Sequence, residues 1–101
     1  MTTKADILQE AIGTVAQRGE AYDGVEDNFV RIERYWNAHL VNRFGAEAAE
    51  KCELNAIDVA QMMILMKQAR IDFKQDHHDS WVDTCGYGGC GGELAAKEVA
   101  E

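Results

Sequence analysis

Asp79 and Asp83 stand four residues apart in the run Asp79-Ser80-Trp81-Val82-Asp83-Thr84-Cys85-Gly86-Tyr87, and they are the side chains best placed to do chemistry in this chain. On a helix their Cβ atoms lie about 5–6 Å apart. That is close enough to share a divalent cation or to hold a polar network together. Upstream, Lys67 and Arg70 lie three apart and can face the two acids across a short polar loop. Two readings of the four residues stay open. In one they form salt bridges that complement the negative end of a helix. In the other, Arg31, Lys67 and Arg70 form an anion pocket for a phosphorylated ligand, with arginine supplying bidentate geometry and the acids orienting the bases or binding ribose hydroxyls.

The aromatic residues allow the same division. Trp36, Trp81 and Tyr87, with Tyr22 and Tyr35, can be core residues whose polar atoms find partners; alternatively a base stacks on Trp36 or Trp81. Asn28 is either a helix cap or a side-chain amide that reads a ligand edge. His77, His78, Cys85 and Cys90 match the short paired spacing of a structural zinc site poorly, and the two histidines are expected at the solvent-exposed start of a helix. His39 falls on an apolar face, as a hydrogen-bonded core or interface residue does.

These side chains need elements to position them. There is no proline in 101 residues, and the abundance of Ala, Glu, Lys, Gln and Met favours an all-helical chain. Residues 4–18 place Leu8, Ala11, Ile12, Val15 and Ala16 at helical spacing, with Gly19 as a stop. Tyr22, Asp23 and Gly24 belong to a turn. A second helix over about 26–43 carries Phe29, Ile32, Tyr35, Trp36, Ala38, His39 and Leu40, and Gly45 closes it. Residues 46–52 have room for one or two further turns. Asn55 then stands as an N-cap, with Asp58 completing a capping arrangement for a helix over 56–71. The middle of that helix, Val59 to Met66, is apolar on nearly every side, which predicts burial on several faces. A last helix runs from about Asp79 to Val99. Its five glycines, Gly86, Gly88, Gly89, Gly91 and Gly92, each cost about 0.5–1 kcal/mol in a helix interior. Close packing around Gly86 and Gly89 with a kink after Cys90 would offset that cost, as would a break near Gly91-Gly92.

Composition bounds the classes of function. Length fits one domain spanning 1–101. Eighteen acids against ten bases give a formal charge of −8, which argues against binding nucleic acid or an anionic membrane. No run approaches the roughly 20 apolar residues of a membrane span, and no secretory signal is present, so the expected location is the cytoplasm. Cys52, Cys85 and Cys90 are odd in number and irregular in spacing, as free thiols are.

Tyr22-Asp23-Gly24, Asn28-Phe29-x-Arg31-Ile32 with Trp36, Asp58-Val59-Ala60-x-Met62-Met63-x-Leu65-x-Lys67-x-Ala69-Arg70, and Asp79-Ser80-Trp81-Val82-Asp83 with Gly86-Tyr87 together resemble a small phage and prophage family of unknown function, over roughly residues 8–94. More distantly, the third and fourth helices resemble the MazG-like all-α nucleoside triphosphate pyrophosphohydrolases. In those enzymes Glu-Glu-x-x-Glu on one helix and Glu-x-x-Asp on the next bind magnesium. Asp83 is similar in position to the last of these acids, but Ser80 stands three before it, and Met, Leu and Gln, then Lys67 and Arg70, replace the acidic cluster on the partner helix.

The resemblance implies a MazG-like bundle of four main helices completed by homo-oligomerisation. It implies a host-cytoplasmic phage protein that binds a nucleotide or nucleotide-derived signal through Asn28, Arg31, Trp36, Lys67, Arg70, Trp81 and Tyr87. Asp79 and Asp83 would hold Mg2+, and any retained turnover would be that of a degenerate pyrophosphohydrolase. The alternative is a non-catalytic interaction module, such as an inhibitor of a host defence or replication factor.

Overall fold

A computed structural model describes residues 1–21 and 25–100, and among them the chain is helical in five segments: α1 Lys4–Ala21, α2 Val25–Phe44, α3 Ala46–Glu50, α4 Ala56–Phe73 and α5 His78–Ala100. The expected turn at Tyr22, Asp23 and Gly24 lies outside the described residues. The four long helices are the four that periodicity predicts, and α3 is the short extra turn.

The boundaries follow from local chemistry. At the start of α1 the Thr3 amide donates to the Asp6 carboxylate at 3.0 Å and the Asp6 amide donates to Thr3 Oγ1 at 3.2 Å. This reciprocal pair satisfies two of the helix's orphan donors, and the Thr3 backbone hydrogen bond holds the Asp6 carboxyl below its ordinary range. Asn55 and Asp58 form the same capping box before α4, with both bonds at 2.9 Å, as their spacing predicts. Gly45 ends α2 with φ of 88°, a conformation that only glycine adopts without strain. Gly19 does not stop α1, which continues to Ala21. Glycine accepts helical dihedrals, and no left-handed residue ends the helix at that point.

The most extensive packing joins α4 to α5; α1 lies against α5, and α2 against α3 and α4. Phe29, Val59 and Ala60 form the buried centre, with Ile32, Trp36, Met63, Tyr87, Cys90 and Leu94 around them. The Phe29 and Tyr87 rings lie 6.1 Å apart in a tilted arrangement. Asn37 ties α2 to the segment before α4: its amide nitrogen donates to the Leu54 carbonyl and its oxygen accepts from the Leu54 amide, both at 2.9 Å.

Two expectations need correction. Helix α5 runs without a break through Gly91-Gly92. Its close approaches are at Gly86, where an added Cβ would meet Val15 Cγ2 at 3.3 Å, and at Gly91, where it would meet the Ala60 Cβ at 2.9 Å; Gly89 faces open space. His39, expected on the apolar side, is exposed, and the half-buried positions at that end of α2 are Trp36, Asn37 and Leu40.

Candidate functional site

A cleft of about 230 Å³ opens where α1, α2, α4 and α5 meet. Helix α1 supplies Thr14, Val15 and Arg18; α2 supplies Asn28, Phe29 and Ile32. Met63 of α4 forms one wall, and Val82, Asp83, Gly86, Tyr87 and Cys90 of α5 form another. The interval of three to four residues between lining positions on α5 is one helical face. Gly86 lets Val15 come close and so brings α1 over that face. The volume is slightly below the 300–1,000 Å³ typical of drug-sized ligands, so the cleft suits a small metabolite or one end of a larger one.

Its polar wall is an ion-pair triad. Lys67 Nζ lies 2.9 Å from Asp83 Oδ2, and Arg18 Nη2 lies 3.4 Å from Asp83 Oδ1. The Lys67 and Asp83 side chains are 9% and 10% exposed and the Arg18 side chain 45%. Two cations thus converge on one carboxylate and leave one positive charge in excess. Lys67 is fixed beneath the wall, whereas the guanidinium of Arg18 stands at the mouth with donors to spare.

The expected site residues divide into groups. Asp83, Asn28 and Tyr87 line the cleft, and Lys67 reaches it through Asp83. Arg31 and Arg70 are exposed and outside the lining, and Trp36 packs against the core. Trp81 is also outside the lining; its indole N–H donates to the Gln75 carbonyl at 2.8 Å. Asp79 is exposed in the first turn of α5, while Asp83 is buried, so the two acids sit in different surroundings.

That separation bears on magnesium. Both Asp83 oxygens already face cationic nitrogens, and an ion at Asp79 and Asp83 would have to displace them. Among the described residues no group of three or more His, Cys, Asp or Glu side chains is placed to hold a metal. A magnesium ion is held by one or two carboxylates with substrate phosphates and water, and here the better-buried carboxylate, Asp83, is already engaged by Lys67 and Arg18. Ser80 is fully buried, with its Oγ 2.6 Å from His77 Nδ1. Nearby, His78 pairs with Glu10 of α1, and that contact raises its pKa above the ordinary 6.5.

Arg18 is the residue that sequence reading misses. Its signal is that Ala11, Thr14, Val15 and Arg18 follow at helical spacing, so the arginine continues the inward stripe of α1. Leu8 and Ile12, taken as part of that stripe, are exposed instead.

Comparison with known proteins places these elements in context. The model of a family described as "Domain of unknown function (DUF6378)" matches residues 6–95. The chain is similar to the Gene 55 protein of Mycobacterium phage D29, 38% identical over 85 residues that cover 83% of this chain and 50% of the relative. It is similar also to the Gene 55 protein of Mycobacterium phage L5, 34% identical over 89 residues that cover 88% of this chain and 47% of the relative. The chain thus spans about half the length of these relatives. The expected phage family of unknown function stands, and these matches carry no MazG-like assignment. No solved structure matches.

Proposed function

The chain belongs to the family described as a domain of unknown function (DUF6378), with relatives in phages, and we propose that it binds a small organic anion of the nucleotide class in the cleft between α1 and α5. One observation carries this reading: two cationic side chains converge on Asp83 at the wall of a mainly apolar cleft. Arg18 receives the anionic group, because its exposed guanidinium can leave a 3.4 Å contact for a bidentate one at little cost. Phe29, Tyr87, Ile32 and Met63 cover the apolar part of the ligand, and Asn28 is placed to exchange hydrogen bonds with its edge. Lys67 holds Asp83 in place, so the carboxylate orients Arg18.

The reading is one of binding without turnover. A general base must aim a free lone pair of its own at a proton of the attacking water, and Asp83 directs both its oxygens at cations. The test incubates the protein with nucleoside mono-, di- and triphosphates, deoxynucleotides and cyclic nucleotides, with and without magnesium, and chromatographs the free and heat-released pools. Intact ligand released on heating, with binding weakened at least tenfold by Arg18→Ala while helicity is kept, supports the proposal. A panel that leaves no bound member, or binding that Arg18→Ala does not change, overturns it. Conversion of a triphosphate to a monophosphate would replace binding with pyrophosphohydrolysis.

A further inference from the structure

Helix α4 is apolar on two sides, and this chain covers only one of them. Val59, Ala60, Met63, Lys67 and Ile71 turn inward. Met62, Leu65, Met66, Ala69 and Phe73 recur at three- and four-residue steps on the other side, and all are exposed, Leu65 at 66% and Phe73 at 93%. A helix that is hydrophobic all round is ordinarily buried all round. We propose that the outward face of α4 is the contact surface for a second copy of this chain, paired about a two-fold axis.

The area argues for that occupant. A compact monomer of 11.2 kDa exposes about 5,700 Å², whereas this chain exposes 7314 Å². The surplus of roughly 1,600 Å² falls within the share that one subunit gives up in an obligate homodimer, whose interfaces bury about 2,000–5,000 Å² in total. The radius of gyration agrees: 15.3 Å against about 13 Å for a compact chain of this length. The chemistry agrees as well. The stripe carries no charge over its length, as the cores of homodimer interfaces do not, and a straight apolar stripe on one helix complements its own copy under two-fold symmetry. This matters in a chain of net charge −8, since an uncharged contact surface keeps like charges of the two copies apart. Only Met63 of α4 lines the cleft, so pairing through the outward face leaves the cleft open and is independent of what it binds.

The test is the mass of the whole protein in solution, by sedimentation or light scattering, from low micromolar to hundreds of micromolar. The expected result is twice 11.2 kDa for the unmodified chain. Leu65→Glu should return it to the single-chain mass with helicity intact and raise the dissociation constant at least a hundredfold. If Leu65→Glu loses helicity, Met62→Lys on the same exposed face carries the comparison. A single-chain mass at every concentration, or a dimer that both substitutions leave intact, overturns the proposal; a heterologous protein held on this face by a monomeric chain would do so too.

Discussion

Removing the Asp83 carboxylate should destabilise the protein more than any other single polar substitution, and the reason lies in Lys67. In Asp83→Ala the exposed Arg18 turns to water at little loss, but Lys67, with 9% of its side chain accessible, loses its counter-ion. Breaking a buried pair by removing one partner costs about 3–5 kcal/mol. A domain of this size is stable by about 5–15 kcal/mol, so the loss is a large fraction of the whole. At about 4–8 °C per kcal/mol the melting temperature should fall by at least about 12 °C. Lys67→Met should cost less, because Asp83 retains Arg18. Replacing both partners, as Lys67→Met with Asp83→Leu, should recover most of the loss, since an apolar pair of similar volume is near neutral or better. Thermal and urea melts followed by circular dichroism, closed into a double-mutant cycle, give the coupling energy. An Asp83→Ala loss below about 1 kcal/mol, or a double variant no more stable than Asp83→Ala, would refute the assignment of Lys67 as a buried cation that depends on this carboxylate.

Glycines on α5 should respond to alanine with opposite signs. Gly89→Ala faces open space and should stabilise by about 0.5–1 kcal/mol; Gly91→Ala, whose Cβ would lie 2.9 Å from that of Ala60, should destabilise by about 1–3 kcal/mol, and equal melts for the two variants would contradict the α4–α5 approach. Asn55→Ala removes the α4 cap and should cost about 1 kcal/mol in urea melts, with no change if the capping box contributes nothing. His78 has its pKa raised above 6.5 by Glu10, so the folded state holds the proton more tightly. The stabilisation is therefore fully present below the unfolded value and fades as pH rises through the folded one. The gap in melting temperature between the unmodified protein and His78→Gln should be larger at about pH 6 than at about pH 9, and a gap independent of pH would exclude the pair.

Local signals made much of the fold legible. Asn55 and Asp58 carry the start of α4 in a four-residue pattern, and Gly45 marks the end of α2 because its dihedral excludes other residues. Lys67 and Asp83 could be paired by eye, since the helices that bear them are joined by a short loop. Arg18 could not: its carboxylate lies 65 residues away in sequence, and no periodicity within α1 reports such a partner. The tandem acids misled for a similar reason. Asp79 and Asp83 share a helical interval, but burial is decided by α4 and α1, which cover one and leave the other in solvent. The glycine run likewise says that close approach is available, not which positions use it; only the neighbours Val15 and Ala60 decide that.

Helix α1 is fastened to the rest of the molecule chiefly along α5 and meets α2 only sparsely, yet it contributes one wall of the cleft. Among the four long helices its detachment breaks the fewest contacts, so in exchange kinetics its amides should open at a lower free energy than those of the α4–α5 pair. Anything held between Arg18 and α5 adds its own binding energy to the closing of that wall. Occupancy would then be read as slowed amide exchange along α1, and the residence time of the guest would be set by how often this one helix lifts away.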